Sequence, residues 1–210
     1  MNKYLVEFIG TFFLVLTIGC VVIARGGGGI PPLAIGGALM VMVYAGGHIS
    51  GGHCNPAVTL GVFLRGKCPT GDVIPYWVAQ LLGAFVATLA VRVLRGADMA
   101  AVQHMVPRFG PAFLAEFLFT FALVWVVLNS ATAKGTAGNS FYGLAIGFTV
   151  LTGAFAVGDV SGGAFNPAVA MAAGLMGVVA LGSIWILVLA ELLAAAVAAY
   201  AFKFANGADV

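Results

Sequence analysis

Charge is what this chain has least of. Asp, Glu, Lys and Arg make up 8% of its 210 residues and hydrophobic side chains 62%, against about 25% and 45–50% in an ordinary soluble domain. A water-soluble globule is excluded, because so little polar surface could not cover it. The nine basic and seven acidic residues leave a net charge of +2 with no run of one sign, so no nucleic-acid groove or lipid-headgroup patch is expected. Cysteine is scarce too: Cys20, Cys54 and Cys68 are odd in number and lack metal-ligand spacing, which argues against a disulfide framework and a metal centre and leaves packing as their expected role. No nucleophile, acid–base pair or ligand cluster converges on one spacing, so neither a catalytic residue nor a cofactor is expected and an embedded enzyme is disfavoured.

What the chain does have is apolar length. Six stretches, near 4–24, 31–50, 73–94, 112–130, 140–158 and 180–202, are each long enough for a hydrocarbon core that takes about 20 helical residues. The expectation is an all-α, multi-pass membrane protein. Lys3 and the apolar run ending at Cys20 loosely resemble a secretory or lipoprotein signal. Apolar residues nevertheless continue to Ala24, and Glu7 has a counterpart in a later span, so the segment is assigned to the fold. Thirty glycines add small residues at helical spacing, Gly143 with Gly147, Gly83 with Ala87 and Ala190 with Ala194, as needed where helices approach closely in lipid.

The chain is also written twice. Asn55-Pro56-Ala57 and Asn166-Pro167-Ala168 stand 111 residues apart, each followed by Val and preceded by a Ser-Gly-Gly segment. Ala34-Ile35-Gly36 recurs as Ala145-Ile146-Gly147 in the same register, and Ala79-Gln80-Leu81-Leu82 as Ala190-Glu191-Leu192-Leu193. Glu7-Phe8-Ile9-Gly10-Thr11-Phe12 matches Glu116-Phe117-Leu118-Phe119-Thr120-Phe121 at an offset of 109, two residues of loop fewer. A period this long is no solenoid, whose units run about 20–50 residues. One domain over 1–210 is expected, with repeats near 1–98 and 108–210. Three spans per repeat force the second to enter from the opposite face, which makes the repeats inverted.

Between spans two and three, the segment from His48 to Leu64 is too apolar for a water-exposed loop and too short to cross. It fits a glycine-rich extended stretch followed by a half-length helix, with Pro56 in the first turn, where its missing N–H costs nothing, and Asn55 as N-cap. Gly162–Gly177 repeats the plan with Asn166 and Pro167. Irregular backbone at membrane depth is tolerated only in protein or against a watery cavity, so the carbonyls of Gly51, Gly52, His53, Gly162 and Ala164 are expected along a pore. Two half-helix N-termini at the midplane each carry about half a positive charge and repel a monovalent cation by roughly 2 kcal/mol at 4 Å and an effective dielectric near 20. Neutral polar molecules feel no such repulsion and can accept hydrogen bonds from the Asn amides.

The paired motifs, with Glu7-Phe8-Ile9-Gly10-Thr11-Phe12 and Gly47-His48-Ile49-Ser50-Gly51-Gly52-His53, resemble the aquaporin, or major intrinsic protein, family over nearly the whole chain. That resemblance implies six full helices plus two half-helices, a homotetramer with one pore per subunit, and cytoplasmic termini in a cell membrane. It also implies that Asn55 and Asn166 orient permeating molecules and that Glu7 and Glu116 hold the loop backbones. The family pattern places Arg after the second Asn-Pro-Ala, in a narrow outer filter. Here that residue is Val169, and the other filter positions fall on Ile35, Ala154 and Gly163, none with a hydrogen-bonding side chain. Val at this point resembles some plant vacuolar and bacterial members, so the channel is not thereby dead. The expected solutes are water and small uncharged molecules such as glycerol, urea, ammonia or metalloid hydroxides. A pore passing mainly water is the alternative, with Phe165 or Met171 filling the space left by Arg. An ion-coupled secondary transporter is a distant third, because the midplane offers Asn amides rather than ion sites.

Several residues stay open between roles. Asp159 either satisfies loop N–H groups or lines the outer vestibule. His48 and His53 either orient the first loop by hydrogen bonds or gate the cytoplasmic mouth by protonation. Cys54 is either near the pore or buried behind the half-helix. Glu191, facing a Gln in the other repeat, is expected to be hydrogen-bonded. Orientation is weakly marked: Lys3, Arg65, Lys67, Lys134 and Lys203 on the side of the termini oppose Arg25, Arg92, Arg95 and Arg108.

Overall fold

Small residues fix how the helices of this molecule meet, and so where its interior cavity lies. The computed structural model describes residues 2–23 and 29–209, so Ala24 and Arg25 lie outside the described residues. Among the described residues, eight α-helices follow in order: α1 (Asn2–Val22), α2 (Pro31–Ser50), α3 (Pro56–Leu64), α4 (Thr70–Met99), α5 (Phe109–Val127), α6 (Tyr142–Ser161), α7 (Pro167–Leu175) and α8 (Ile184–Ala205). Six of them are long and apolar enough to span a membrane, α5 with a π-helical turn at Leu128–Thr132 and α8 with a short 3-10 turn before it. The two residues by which the halves differ fall in the α5–α6 connection, which holds that π turn and a 3-10 turn at Lys134–Thr136. The half-length helices α3 and α7 have nine residues each. At about 1.5 Å per residue, the two end to end cover roughly 27 Å, close to a hydrocarbon core of about 30 Å.

Spans two and five begin and end within three residues of the sequence expectation. Span three is longer than expected at both ends, running from Thr70 to a kink at Arg95 (φ −124°, ψ 17°) and on to Met99. Its polar ends are held by partners. Asp72 takes Lys3 Nζ at 2.5 Å and Tyr4 Oη at 2.8 Å, and Arg92 donates to the carbonyl of Leu175, the last residue of α7 (2.9 Å), where a cation complements the helix dipole.

α1 packs along α4, α5 along α8, and α2 crosses α6. The last crossing has no room for side chains. A Cβ on Gly36 would stand 2.6 Å from the Gly147 carbonyl, and one on Gly147 2.5 Å from the Gly36 carbonyl. Gly83 of α4 lies in the same way on the Phe8 carbonyl of α1, while Ala87, Ala190 and Ala194 are fully buried. The outward faces carry exposed Leu, Phe, Val and Trp side chains, among them Phe13, Leu82, Phe85, Phe148 and Trp185. Such a belt suits lipid rather than water.

Gly147→Leu overpacks the α2–α6 crossing at a cost of about 1–3 kcal/mol or more. The purified protein is expected to melt about 5 °C lower, whereas Gly37→Ala, at a site with open space, leaves the melting temperature unchanged. Thermal unfolding in detergent checks both.

Candidate pore site

Each half-helix is preceded by the same sharp reversal. Gly51 (φ 89°), Gly52 (φ 62°) and Cys54 (φ 49°) lead to Asn55, and Gly162 (φ 98°), Gly163 (φ 63°) and Phe165 (φ 48°) lead to Asn166. Glycine supplies this left-handed backbone without strain, which accounts for the repeated Gly-Gly pair. The Asn side chains then cap: Asn55 Oδ1 accepts from the Ala57 N–H (2.8 Å), and Asn166 Oδ1 from the Ala168 N–H (2.9 Å). Pro56, Ala57, Pro167 and Ala168 form the buried first turns.

The two amides also tie the halves together. Asn55 Nδ2 donates to the Phe165 carbonyl at 2.8 Å, and Asn166 Nδ2 to the Cys54 carbonyl at 2.9 Å. An amide NH2 has two protons to give, so one on each Asn is left for another acceptor.

Behind the loops stand buried acids. Glu7 Oε1 accepts from Ser50 Oγ (2.7 Å) and the His53 N–H (2.9 Å), and its Oε2 from the Cys54 N–H (2.6 Å) and Gln80 Nε2 (2.8 Å). Glu116 Oε1 accepts from Ser161 Oγ (2.6 Å) and the Ala164 N–H (3.0 Å), and its Oε2 from the Phe165 N–H (2.7 Å). Both carboxyls are fully buried. Hydrogen bonds of this kind contribute about 0.5–1.5 kcal/mol each net, and leaving a buried donor unmet costs about 1–3 kcal/mol. Ser50 and Ser161 also accept from the N–H of Gly52 and Gly163. Their recurrence at the offset of 111 was the available signal for a role that composition alone does not assign.

Glu191 is hydrogen-bonded, and to the motif itself: its Oε1 accepts the Asn166 N–H at 2.9 Å. Its carboxyl stands beside that of Glu116, where the first half sets Gln80 beside Glu7. Around the first loop, Tyr76 Oη donates to the Ser50 carbonyl and Trp77 Nε1 to the Pro56 carbonyl. Nothing in the sequence pattern singles out these two aromatics.

A cavity of about 240 Å³ runs along this junction. Asn55 and Asn166 line it, with Gly51, Gly52, His53, Gly162, Gly163 and Ala164 from the loops and Ile35, Ala154 and Val169 from the helices. Among the described residues, no three His, Cys, Asp or Glu side chains are grouped as a metal would need.

The open residues divide. His53 is buried, 3.1 Å from Thr59 Oγ1 through Nδ1 and tilted on the Tyr76 ring, a loop-orienting position. His48 is exposed in the last turn of α2, and Asp159 is exposed near the end of α6; the expected hydrogen bonds from these two to the described loop residues are not formed. Both stand at helix ends with exposed side chains, and neither is among the residues that line the cavity. Cys54 is buried with its Sγ packed on Gly10 of α1, away from the cavity lining. Met171 is absent from the lining, so it is not the filler expected beside Val169, whereas Phe165 lines the cavity and sets its ring against Phe119 and Gly153, with Cζ 3.6 Å from the point a Cβ would occupy on Gly163. The methionines that do line the cavity are Met105 and Met176.

Glu191→Leu leaves the Asn166 N–H without its acceptor, a cost of about 1–3 kcal/mol, and is expected to lower the melting temperature by about 2–4 °C per kcal/mol. Glu191→Gln keeps an acceptor and removes one of two adjacent acids, so it is expected to melt at or above the parent. Equal melting of the Leu and parent proteins would show that this bond contributes nothing.

The family described as Major intrinsic protein matches residues 1–202. The chain is 38% identical to Glycerol uptake facilitator protein-like 6 of Lactiplantibacillus plantarum, over all of both chains. It is 34% identical to Aquaporin NIP1-4 of Oryza sativa, covering 97% of this chain and 76% of the relative, and 34% identical to Nodulin-26 of Glycine max, covering 100% and 79%. The aquaglyceroporin structure from Plasmodium falciparum superposes with a TM-score of 0.81 at 21% identity, over 96% of this chain and 94% of that one, which shows the shared fold. Six spans, two half-helices capped by Asn and a family match over nearly the entire chain make this protein a member of the major intrinsic protein family, whose members are passive membrane channels and not enzymes.

Proposed function

We propose that the chain conducts water and small uncharged solutes, of the size of glycerol, urea, ammonia or neutral metalloid hydroxides, through a wide apolar filter formed by Ile35, Ala154, Gly163 and Val169. One observation carries the proposal. These four residues line the same cavity as both Asn amides, and no side chain among them donates or accepts a hydrogen bond. Water would therefore cross the filter without the donors that an Arg supplies, and larger neutral molecules would meet less steric resistance. At the midplane the spare N–H of Asn55 and of Asn166 offers solutes a donor, while the converging N-termini of α3 and α7 disfavour cations. The names of the relatives, a glycerol uptake facilitator-like protein among them, agree with this substrate class.

In the same proposal, the Asn-Pro-Ala motifs and the loop carbonyls of Gly51, Gly52, His53, Gly162 and Ala164 form the solute path within a single domain of two repeats. Glu7 and Glu116 act as its structural acids. The protein works as a homotetramer in the cell membrane with cytoplasmic termini. A pore passing mainly water is the second reading, favoured by the Phe165 ring and the Met105 thioether in the cavity lining.

Stopped-flow light scattering on proteoliposomes tests the choice. Shrinkage in an impermeant osmolyte followed by protein-dependent re-swelling in glycerol or urea is expected. Val169→Arg is expected to slow glycerol re-swelling about tenfold or more, the scale on which small steric changes discriminate in apolar pockets, while water flux persists. Water flux with no uptake of glycerol, urea, ammonia or a metalloid hydroxide would sink the proposal.

A further inference from the structure

Met105 lies in the α4–α5 connection and, alone among the residues of that connection, lines the cavity. Its backbone is strapped to the segment after α7. The Met105 N–H donates to the Val178 carbonyl (2.9 Å), and the Met105 carbonyl accepts from the Ala180 N–H (2.8 Å), as a parallel bridge opposite Val179. The strap brings the thioether to the mouth opposite the chain termini. Its Sδ stands 3.9 Å from the point a Cβ would occupy on Gly162, and Val179 Cγ2 stands 2.9 Å from the same point. Gly162 adjoins Gly163, a member of the proposed filter. Met176, the other methionine of the lining, is buried and wedges its sulfur on Gly19 of α1, so its side chain is committed to helix packing. Met105 is only half-buried.

We infer that Met105 is a fifth constriction residue of this channel, a pliable apolar side chain over the mouth that sets the largest neutral solute admitted. The inference rests on the proposed conduction of small uncharged solutes. Ala154, Gly163 and Val169 carry small side chains or none, and Met105 supplies length that they lack. A thioether is a weak acceptor and no donor, so it cannot offset the dehydration of a polar molecule. A solute too large to slip past has to displace it. Three rotatable bonds make that displacement possible, so the limit is graded rather than abrupt. The strap bonds are main-chain to main-chain, and truncating the side chain leaves them in place.

The test compares the full-length parent, Met105→Ala, Met105→Phe and, as a control on the same connection, the exposed Val106→Ala. Each is reconstituted in proteoliposomes and assayed for water shrinkage and then for re-swelling in glycerol, erythritol and xylitol. Met105→Ala is expected to raise the erythritol-to-glycerol rate ratio about tenfold, and Met105→Phe to lower glycerol uptake by a similar factor. Water flux in the Ala variant stays within about twofold of the parent, which reports intact folding, and Val106→Ala matches the parent throughout. Identical polyol ratios in the parent and both Met105 variants overturn the inference. A parent that excludes glycerol counts against the wide filter, yet Met105→Ala admitting glycerol in that case still supports Met105 as the limiter.

Discussion

Backbone N–H groups with no water to bond are the constraint on which the rest of this molecule depends. Two loops turn back at the level of the half-helix junction, and each exposes several donors there. An unmet buried donor costs about 1–3 kcal/mol, and hydrocarbon offers no substitute. Glu7 and Glu116 meet that demand, each from a helix that carries no other business at its depth. The carboxyls sit on α1 and α5, so those helices have to run close behind the loops. Gly83 on the Phe8 carbonyl and the alanines of α8 are what permit the approach. Helix packing in this fold is thus subordinate to loop satisfaction.

The same economy governs charge. Ion pairs sit at the ends of helices, Lys3 with Asp72 and Arg65 with Asp209, while the described residues that line the central cavity include no Asp, Glu, Lys or Arg and offer partial charges from helix ends and amides. A neutral molecule can cross such a field with little penalty. In the proposed filter, Val169 in place of the family's Arg leaves the half-helix ends at the midplane as they are and removes both hydrogen-bond donors and a full positive charge from one mouth.

Much of this was legible in the sequence because it repeats. The spans follow from apolar length, the half-helices from Asn-Pro-Ala after paired glycines, and Glu7 with Glu116 from recurrence inside otherwise apolar runs. What repetition does not encode was missed. Met105 lies in a connection without periodicity, and its partners at Val178–Ala180 are distant in sequence. The expected span over 73–94 is shorter than α4 because Asp72 and Arg95 look like loop residues, when Lys3 and Tyr4 draw Asp72 into the helix. His48 and Asp159 occupy matching places in the two halves and suggested a shared duty, but a side chain at a helix end can turn to solvent as easily as toward the loop. Glu191 could be recognised as the counterpart of Gln80, whereas its bond to the Asn166 N–H depends on where α8 meets α7.

The reciprocal clasp between Asn55 and Phe165 on one side and Asn166 and Cys54 on the other has a bearing on how the molecule is made. Neither loop can complete its hydrogen bonding from its own half. α3 can be inserted early in synthesis with Asn55 Oδ1 capping it, but the Asn55 amide nitrogen has no carbonyl to donate to until about a hundred further residues have left the ribosome, and the second loop waits in turn for Glu191 on the final span. The early half must therefore persist in the bilayer as an incomplete structure, shielded by neighbouring helices or by water in the nascent cavity, until the last helix arrives and closes both loops together.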